Sequence, residues 1–377
     1  VGSLETLADR EGESAREILI DFFHEHYSAN IMALAVLGPE SLDDLEQMVR
    51  DKFSEIPDRN ASPQSFDIPY LREGAVGQRL DAVPEIEKNS VSFQFPIPRT
   101  KKEYREKPVS YISNLLGHEG QGSLLWELKR RGLAESLSAG RGYVDDQIGI
   151  LNVYIGLTAE GLDHIDEIGS LLFDQISLIR ESGVAQWRFD EQSSLGDVSF
   201  RFSREPDAGA LVRSLSSRLH LYSPEDVLRG PFMMTEFDQS RVLEILDYLR
   251  PDNVFMQVVS RDLETDSVTS FYDVAYAVSD INQDWIEQWK TVDDTGDLAL
   301  PTPNPFVPER LDLLPLGAPT DAPGLTEISP GIEFWYQADQ EFGSPKASFF
   351  FSVLSPDANS SARNAVLTEL YVRAVNE

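Results

Sequence analysis

The chain has 377 residues, enough for about two domains, and 41% of them are apolar, which can fill ordinary globular cores. Its 64 acidic residues outnumber its 32 basic ones, and the formal charge of −32 argues against nucleic acid and anionic membranes as partners, because these bind clusters of lysine and arginine. The absence of cysteine excludes disulfides and thiolate metal sites, and no apolar run reaches the roughly 18 residues of a membrane-spanning helix.

The strong negative charge suits cationic peptides as partners or a salty environment, although it also serves solubility alone. The chain begins at Val1, without methionine and without a signal peptide. We therefore expect it to start inside a longer gene product. Its compartment stays open, with a soluble periplasmic or cytoplasmic location as the expectation.

The first sixty residues predict a helix, a strand and a second helix. Apolar residues recur at helical spacing over 14–27 and again over 42–55, where Ser41 is placed to cap the second helix. Between them, residues 30–37 form an apolar run that predicts a strand. The polar stretch 57–63, which begins and ends with proline, predicts a linker.

The central part of the chain mixes strands and helices. Alternating or continuous apolar runs predict strands at 90–97, 133–141, 148–157 and 253–259, with a turn around Asp145 and Asp146. Helical spacing predicts helices at 109–116, from the N-cap Ser123 to Gly132, and from Thr158 to Gly183, with two or three more between 185 and 249. We expect an α+β fold in which a mostly antiparallel sheet packs on helices in two layers.

The last part of the chain starts with a connector. Seven prolines between 299 and 323 exclude a helix or a central strand there. Strands are predicted at 332–337 and 348–354, and a helix at 363–375. A faint internal repeat also appears, because Asn30 and Asn253 each follow a predicted helix and precede a predicted strand.

The side chains give no catalytic or metal site in this segment. A zinc peptidase needs two imidazoles one helical turn apart and a carboxylate, as in H-E-x-x-H or H-x-x-E-H. None of the five histidines has such a partner; His24 and His26 lie two apart, on different faces of a helix. Cysteine nucleophiles are absent, no serine sits in a G-x-S-x-G turn, and the glycines before Ser123 lack the lysine of a phosphate loop.

Two stretches of small residues remain as candidates for binding. Residues 117–123 hold three glycines between two predicted helices, and residues 136–141 form a strand of mostly small side chains. Small residues on an edge strand leave the main chain accessible, so an extended peptide could add alongside as a further strand. A close-packed turn and a kink at a sheet edge explain the same residues equally well, and both interpretations stay open.

Several blocks in colinear order closely resemble the insulinase family of zinc metallopeptidases, which includes insulin-degrading enzyme and pitrilysin. The most specific block is LLGHEGQGSLL at residues 115–125. Further blocks are FHEHYSANIMA at 23–33, LGPESLDDL at 37–45, LTAEGL at 157–162, LPTPNPFVP at 300–308 and FWYQ at 334–337. The resemblance covers essentially the whole chain.

This resemblance implies repeated α/β domains that form two bowl-like halves around a peptide-sized chamber. It places residues 1–62 at the end of the first, catalytic domain, 63–290 in a complete second domain, 291–330 in a proline-rich connector and 331–377 at the start of the third domain. The family's zinc motif would precede Val1, and its substrate-contacting residues of the fourth domain would follow Glu377. Zinc is thus expected in the parent protein, and this segment alone is expected to be inactive.

The resemblance also implies a secondary binding site, an exosite, that anchors the N-terminus of the substrate as an added strand. Its residues in this chain would be Gly117, His118, Glu119, Gly120, Gly122, Leu137, Ser138, Ala139 and Gly140. Gln121 stands where the family often has proline, and residues 137–140 are less glycine-rich than is usual there.

The expected parent is an endopeptidase that degrades peptides with zinc-activated water, a glutamate of the zinc motif acting as general base. This segment would supply substrate anchoring and chamber wall, with peptides and the remaining domains as partners. The oligomeric state stays open. Two other interpretations remain: a non-catalytic scaffold or partner subunit of the same family, and a peptide-binding module without a hydrolytic parent.

Overall fold

The computed structural model describes residues 8–9, 12, 14–63, 71–144, 148–203, 206–270, 272–291, 297–308, 310–312, 322–338 and 346–376. The chain divides into two compact units, Val1–Val307 and Pro308–Glu377. No helix in the described ranges is long and apolar enough to cross a membrane.

Both helices and strands build the first unit. Its helices are α1 (Ala15–His26), α2 (Leu42–Phe53), α3 (Pro108–Leu116), α4 (Leu124–Arg130), α5 (Ala159–Asp163), α6 (Ile165–Ser182), α7 (Gln186–Arg201), α8 (Ala208–Arg218), α9 (Gln239–Leu246) and α10 (Gln283–Trp289). Its strands are β1 (Gln78–Ala82), β2 (Ser90–Pro98), β3 (Ala134–Val144), β4 (Ile148–Leu157), β5 (Phe255–Val259), β6 (Ser267–Val268) and β7 (Ala275–Asp280).

The seven strands form one open sheet in the order β3-β4-β2-β5-β1-β7-β6. All neighbours are antiparallel except β1 and β5. At the centre, Phe93 on β2 lies opposite Val153 on one side and Met256 on the other. The predicted α+β class with a mostly antiparallel sheet is confirmed.

The core lies between this sheet and a layer of helices. Phe93 and Phe95 of β2 are fully buried, and Phe95 meets Phe173 of α6 edge-on with ring centroids 6.0 Å apart. Phe93 meets Trp289 of α10 in the same way. The buried apolar stripe of α6, which includes Ile168 and Ile176, explains why this helix forms and which face it turns inward.

The start of the chain departs from the prediction. Both α1 and α2 form where the apolar spacing predicts them, but no residue of either is buried. The strand expected at 30–37 is wrong, because a short 3-10 turn, Ala29–Ile31, occupies its start and residues 32–37 pair with no strand in the described residues. Met32, directly after the turn, has strand-like angles (φ −99°, ψ 148°).

The predicted helix from Thr158 to Gly183 is broken once. Thr158 does cap it, since its Oγ1 accepts a hydrogen bond from the Gly161 N–H at 3.0 Å. His164 leaves helical geometry (φ −121°, ψ 37°), and α6 starts anew after it. Helical spacing alone cannot reveal such a break, because the apolar stripe continues in phase across it.

Asn30 and Asn253, the two asparagines of the predicted repeat, have similar local geometry. Each lies in a short 3-10 turn, Ala29–Ile31 or Pro251–Asn253. Each amide donates to a backbone carbonyl of a separate segment, Asn30 Nδ2 to Ala61 at 2.7 Å and Asn253 Nδ2 to Pro96 at 3.1 Å. Within the described residues only Asn253 leads into a paired strand, so the internal repeat stays a prediction.

The second unit contains a hairpin of β8 (Gly324–Ser329) and β9 (Ile332–Tyr336) and a helix α11 (Ala362–Asn376). The predicted strand at 332–337 and helix at 363–375 are confirmed. The strand expected at 348–354 is wrong, because these residues pair with no described strand. The turn predicted around Asp145 and Asp146 lies outside the described residues.

Candidate functional site

The glycine segment, residues Gly117–Ser123, joins α3 to α4. The Gly117 N–H donates to the Ser113 carbonyl at 2.8 Å and closes the last turn of α3. Ser123 then caps α4, its Oγ accepting from the Trp126 N–H at 3.1 Å. Gly122 has φ +82°, a left-handed angle that glycine adopts without strain. The segment is therefore a sharp turn whose shape depends on glycine at position 122.

The structure brings this segment against β3. A Cβ built on Gly117 would lie 3.6 Å from the backbone nitrogen of Ala139 and 3.9 Å from its Cβ. Because Leu137 is buried in the core on the same face of the strand, β3 is held firmly beneath the end of α3. The two stretches that the sequence singled out thus form one continuous surface.

The nine predicted site residues differ in exposure. Glu119 and Ser138 are exposed, whereas Leu137 and Gly122 are buried and present at most their main chain. The others are half-buried: Gly117, His118, Gly120, Ala139 and Gly140. The His118 ring folds back over Gly120, where a Cβ would lie 2.6 Å from its Nε2.

β3 is an edge strand. In the described part of the chain its single strand partner is β4, so one side of β3 carries N–H and C=O groups without a strand beside them. The register is regular from Ser136, opposite Gly156, to Arg141, opposite Leu151. Such an edge offers a row of main-chain donors and acceptors to an extended peptide.

A buried carboxylate fixes the helix that follows the glycine segment. Glu127 is fully buried on α4, and its carboxylate accepts hydrogen bonds from Arg130 and Arg131 at 2.6 to 2.8 Å. Hydrogen bonding to Arg130 is the main cause that lowers the pKa of Glu127. Arg131 also pairs with Glu167 of α6 at 2.6 Å, which ties α4 to the neighbouring helix.

Sequence reasoning did not single out this cluster. Its signal was the spacing of Glu127 from Arg130 and Arg131, because residues three and four apart on a helix are neighbours.

Two cations adjoin the other end of the site. Lys107 precedes α3 with a left-handed φ of 43°, and its Nζ donates to the Pro231 carbonyl at 2.6 Å. Burial and, secondarily, the charge of Arg141 on β3 lower the pKa of Lys107 to about 8.

The described residues do not fit a zinc ion. None of their histidine, aspartate and glutamate side chains come together in groups of three that could hold a metal. His164 is the clearest example, since it is partly exposed and contacts two neighbours along the chain, Glu160 of α5 at 3.1 Å and Glu167 of α6 at 3.6 Å. These contacts are ordinary pairs on a helix surface.

Two family profiles together match most of the chain. Residues 15–194 match a family profile described as "Peptidase M16 inactive domain", and residues 200–377 match "Middle or third domain of peptidase_M16". Insulin-degrading enzyme of Homo sapiens is 33% identical over 378 residues, covering 100% of this chain and 37% of that protein. Insulin-degrading enzyme-like 1, peroxisomal, of Arabidopsis thaliana is 33% identical, covering 99% of this chain and 39% of its own length.

Solved structures agree with the sequence relatives. The crystal structure of pitrilysin superposes with a TM-score of 0.81 at 25% identity, covering 97% of this chain and 39% of that chain. The chain thus spans about two fifths of the length of the relatives it matches. With two family profiles, relatives over its whole length and the pitrilysin fold, the chain belongs to the insulinase (M16) family of peptidases, and the resemblance noted in the sequence is confirmed.

Proposed function

We propose that this chain is the substrate-holding part of a zinc-dependent metalloendopeptidase. In this proposal the outer edge of β3 and the glycine segment bind the N-terminal stretch of an extended peptide as an added strand. The observation that carries the proposal is the edge position of β3 with Gly117 packed against Ala139. Main-chain hydrogen bonds hold such a guest with little preference for its sequence.

Each part of the surface has a role that follows from its exposure. Ser138, Ala139 and Gly140 offer main-chain groups along an edge that small side chains leave accessible. The glycine segment lets the guest approach closely at one end. Glu119 is an exposed carboxylate there and could pair with the free ammonium group of the guest. Arg141 is exposed on the same strand and would favour an acidic side chain in the guest near it.

The chemistry of cleavage belongs to other parts of the parent protein in this proposal. The support is the family itself, since relatives that span the whole chain carry the name insulin-degrading enzyme. We propose that the large sheet forms part of a chamber wall and that residues 63–290 form one complete domain between partial ones. This chain on its own would bind peptides without cutting them.

A titration with an unstructured peptide tests the anchoring role. Three versions are compared: a free N-terminus, an acetylated N-terminus, and a backbone N-methylated form with the same side chains. We expect the free form to bind most tightly and the N-methylated form not to bind, because N-methylation removes the donors that a strand needs. Hydrogen exchange should show protection at 136–141 and none at β6, the opposite edge of the sheet.

Two outcomes contradict the proposal. One is equal binding of the N-methylated peptide, which would show that strand addition is not the mode of binding. The other is protection confined to regions away from β3 and the glycine segment.

The description "inactive domain" also fits a non-catalytic partner subunit of the same family. The two proposals differ in the parent gene, because an intact inverted zinc motif upstream supports the peptidase and a degraded one supports the subunit. Zinc content and peptide cleavage by the full-length parent decide between them.

A further inference from the structure

The chain segment 297–304, here named the clasp, runs across the glycine segment. It begins the proline-rich stretch and ends just before residue 307, the last residue of the first unit. Nothing in its composition predicts contact with residues 117–123. The contact is nevertheless direct, since the Ala299 N–H donates to the Gly122 carbonyl at 2.8 Å.

Gly122 is shaped for this contact. A Cβ at this position would lie 2.9 Å from the Ala299 Cβ and 3.3 Å from the Asp297 carbonyl oxygen. The left-handed φ of +82° and the close approach both require glycine, so the turn and the clasp fit each other at one residue. Because Gly122 is buried, it cannot serve as an open contact for a guest peptide.

Further contacts fasten the clasp on both sides of Ala299. Leu298 is buried in the core, and the Asp297 carboxylate lies 3.7 Å from the Arg130 guanidinium on α4. On α7, Arg188 donates to the Pro301 carbonyl at 3.3 Å. Glu191 accepts from the Asn304 N–H at 2.8 Å. The clasp is thus anchored to α4, to the glycine segment and to α7.

We infer that the clasp holds the glycine segment in the conformation that accepts a peptide, so that clasp closure and peptide binding favour each other. A turn with three glycines has many accessible conformations when free, and a guest would have to select one of them. The hydrogen bond from Ala299 already fixes Gly122 in the free chain, so the peptide does not have to order the turn when it binds and loses less conformational entropy. Ala299 is then a positioning residue for the binding edge, acting through its backbone N–H.

The coupling must be reciprocal. If clasp closure strengthens peptide binding, a bound peptide must stabilise the clasp by the same factor. A peptide bound at the β3 edge would therefore stabilise the clasp as far as Asn304, a few residues before the end of the first unit. The binding part of this inference rests on the proposed function, whereas the hold of the clasp on the glycine segment does not.

The test compares Ala299→Pro with Ala299→Ser in the 377-residue chain. Proline removes the N–H that donates to the Gly122 carbonyl, whereas serine keeps it, and the side chain of Ala299 is exposed. We expect faster hydrogen exchange at 117–123 in the proline variant alone. Its affinity for the unstructured peptide with a free N-terminus should fall about threefold to tenfold, the usual worth of one backbone hydrogen bond.

A second pair of variants provides a measurement in case the proline variant does not fold. Glu191→Ala removes the carboxylate that accepts from the Asn304 N–H, whereas Glu191→Gln keeps an acceptor oxygen, and neither changes the glycine segment itself. We expect faster exchange at 117–123 and weaker peptide binding in the alanine variant than in the glutamine variant.

The results of these experiments distinguish a failure of the clasp from a failure of the proposed function. Equal exchange at 117–123 in the proline and serine variants, or in the Glu191→Ala and Glu191→Gln variants where the proline variant does not fold, overturns the clasp. Faster exchange with unchanged peptide affinity also overturns it, because the coupling is then absent. If the unaltered chain binds no peptide at all, the proposed function fails, and the exchange measurements still decide whether the clasp holds the segment.

Discussion

The carboxylate of Glu127 and the guanidinium of Arg130 are joined by two hydrogen bonds, at 2.8 Å from Nε and 2.6 Å from Nη2. Glu127 is fully buried, whereas the Arg130 side chain is half exposed. The pair lies one turn after the glycine segment and fixes the helix that Ser123 begins. A charge buried in this way is stable only while its partners remain in place.

Replacing Glu127 by glutamine should therefore destabilise the first unit. The neutral amide removes the buried charge that Arg130 and Arg131 share, but both arginines are partly solvated and keep Asp297 and Glu167 as partners, so we expect a loss of about 2 to 3 kcal/mol. Urea unfolding followed by tryptophan fluorescence measures it, since four of the five tryptophans lie in this unit. Glu46→Gln is the matched control, because its pair with Arg50 is exposed and should contribute little.

The effect of this substitution should depend on pH. The pKa of Glu127 is lower in the folded chain, mainly through Arg130, so its contribution is present above the unfolded pKa of about 4.3. As pH falls through the lowered folded value, the carboxylate is protonated and the contribution is lost. The difference in unfolding free energy between the two proteins should be constant at neutral pH and shrink in acid. A difference that grows in acid would contradict this account.

Tyr111 ties α3 to the loop between α6 and α7. Its buried hydroxyl donates to the Gly183 carbonyl at 2.8 Å and accepts from the Ala185 N–H at 2.9 Å. Tyr111→Phe leaves both backbone groups without this partner, and we expect a loss of about 1 to 3 kcal/mol in unfolding free energy. Tyr104→Phe is the control with a smaller expected loss, because Arg105 still pairs with the carboxylate of Asp226 that Tyr104 contacts.

Local patterns predicted much of the fold, and long-range pairing explains what they missed. β2 and β4 were visible because their residues alternate or run apolar between turn residues. β1 was not, because Gln78–Ala82 has polar residues on both faces and all five are half-buried. It is a strand because β5 and β7 pair with its two sides. The apolar run at 30–37 shows the converse, since it pairs with no described strand.

In the candidate site too, local sequence patterns predict some features, whereas others depend on contacts between distant parts of the chain. Gly117 and Ser123 end and begin helices by local rules, so the glycine segment could be located from the sequence. Its contact with β3 could be expected only through the family resemblance, because sheet order decides which strand is at the edge. The contact of Gly122 with Ala299 could not be predicted from the sequence. It is a hydrogen bond between two backbone groups, and such a bond requires no particular pattern of side chains.

Gly161 and Gly140 offer a matched test of how β3 is positioned. A Cβ on Gly161 would overlap the Leu133 carbonyl just before β3, at 1.9 Å, whereas a Cβ on Gly140 would meet nothing within 4 Å. We expect Gly161→Ala to cost about 2 to 3 kcal/mol, because backbone must move, and Gly140→Ala to be neutral or slightly stabilising. Thermal unfolding of the two variants side by side checks this, and equal melting temperatures would contradict it.

The amine of Lys107 should lose its proton, and so become reactive, at a lower pH than the amine of an ordinary lysine. With a pKa of about 8, the Lys107 amine is neutral in half of the molecules at pH 8. An ordinary lysine, with a pKa of about 10.4, is neutral in roughly 0.4% of them at the same pH. Competitive acetylation read by peptide mass mapping should give a midpoint near pH 8 at Lys107. Arg141→Gln removes a like charge and should raise this midpoint, whereas Arg141→Lys keeps the charge and should leave it in place.

The lowered pKa of Lys107 also determines whether the folded chain gains or loses stability as the pH rises. In the unfolded chain Lys107 keeps its ordinary pKa of about 10.4, so between about pH 8 and 10.4 the unfolded state binds more protons than the folded state. Burial of the charged amine therefore weakens the fold below about pH 8, and this cost is relieved as pH rises. The unaltered chain should gain stability relative to Lys107→Gln between pH 8 and 10, measured by urea unfolding at each pH. A constant difference across that window would show that Lys107 titrates normally and that the end of β3 is open to water.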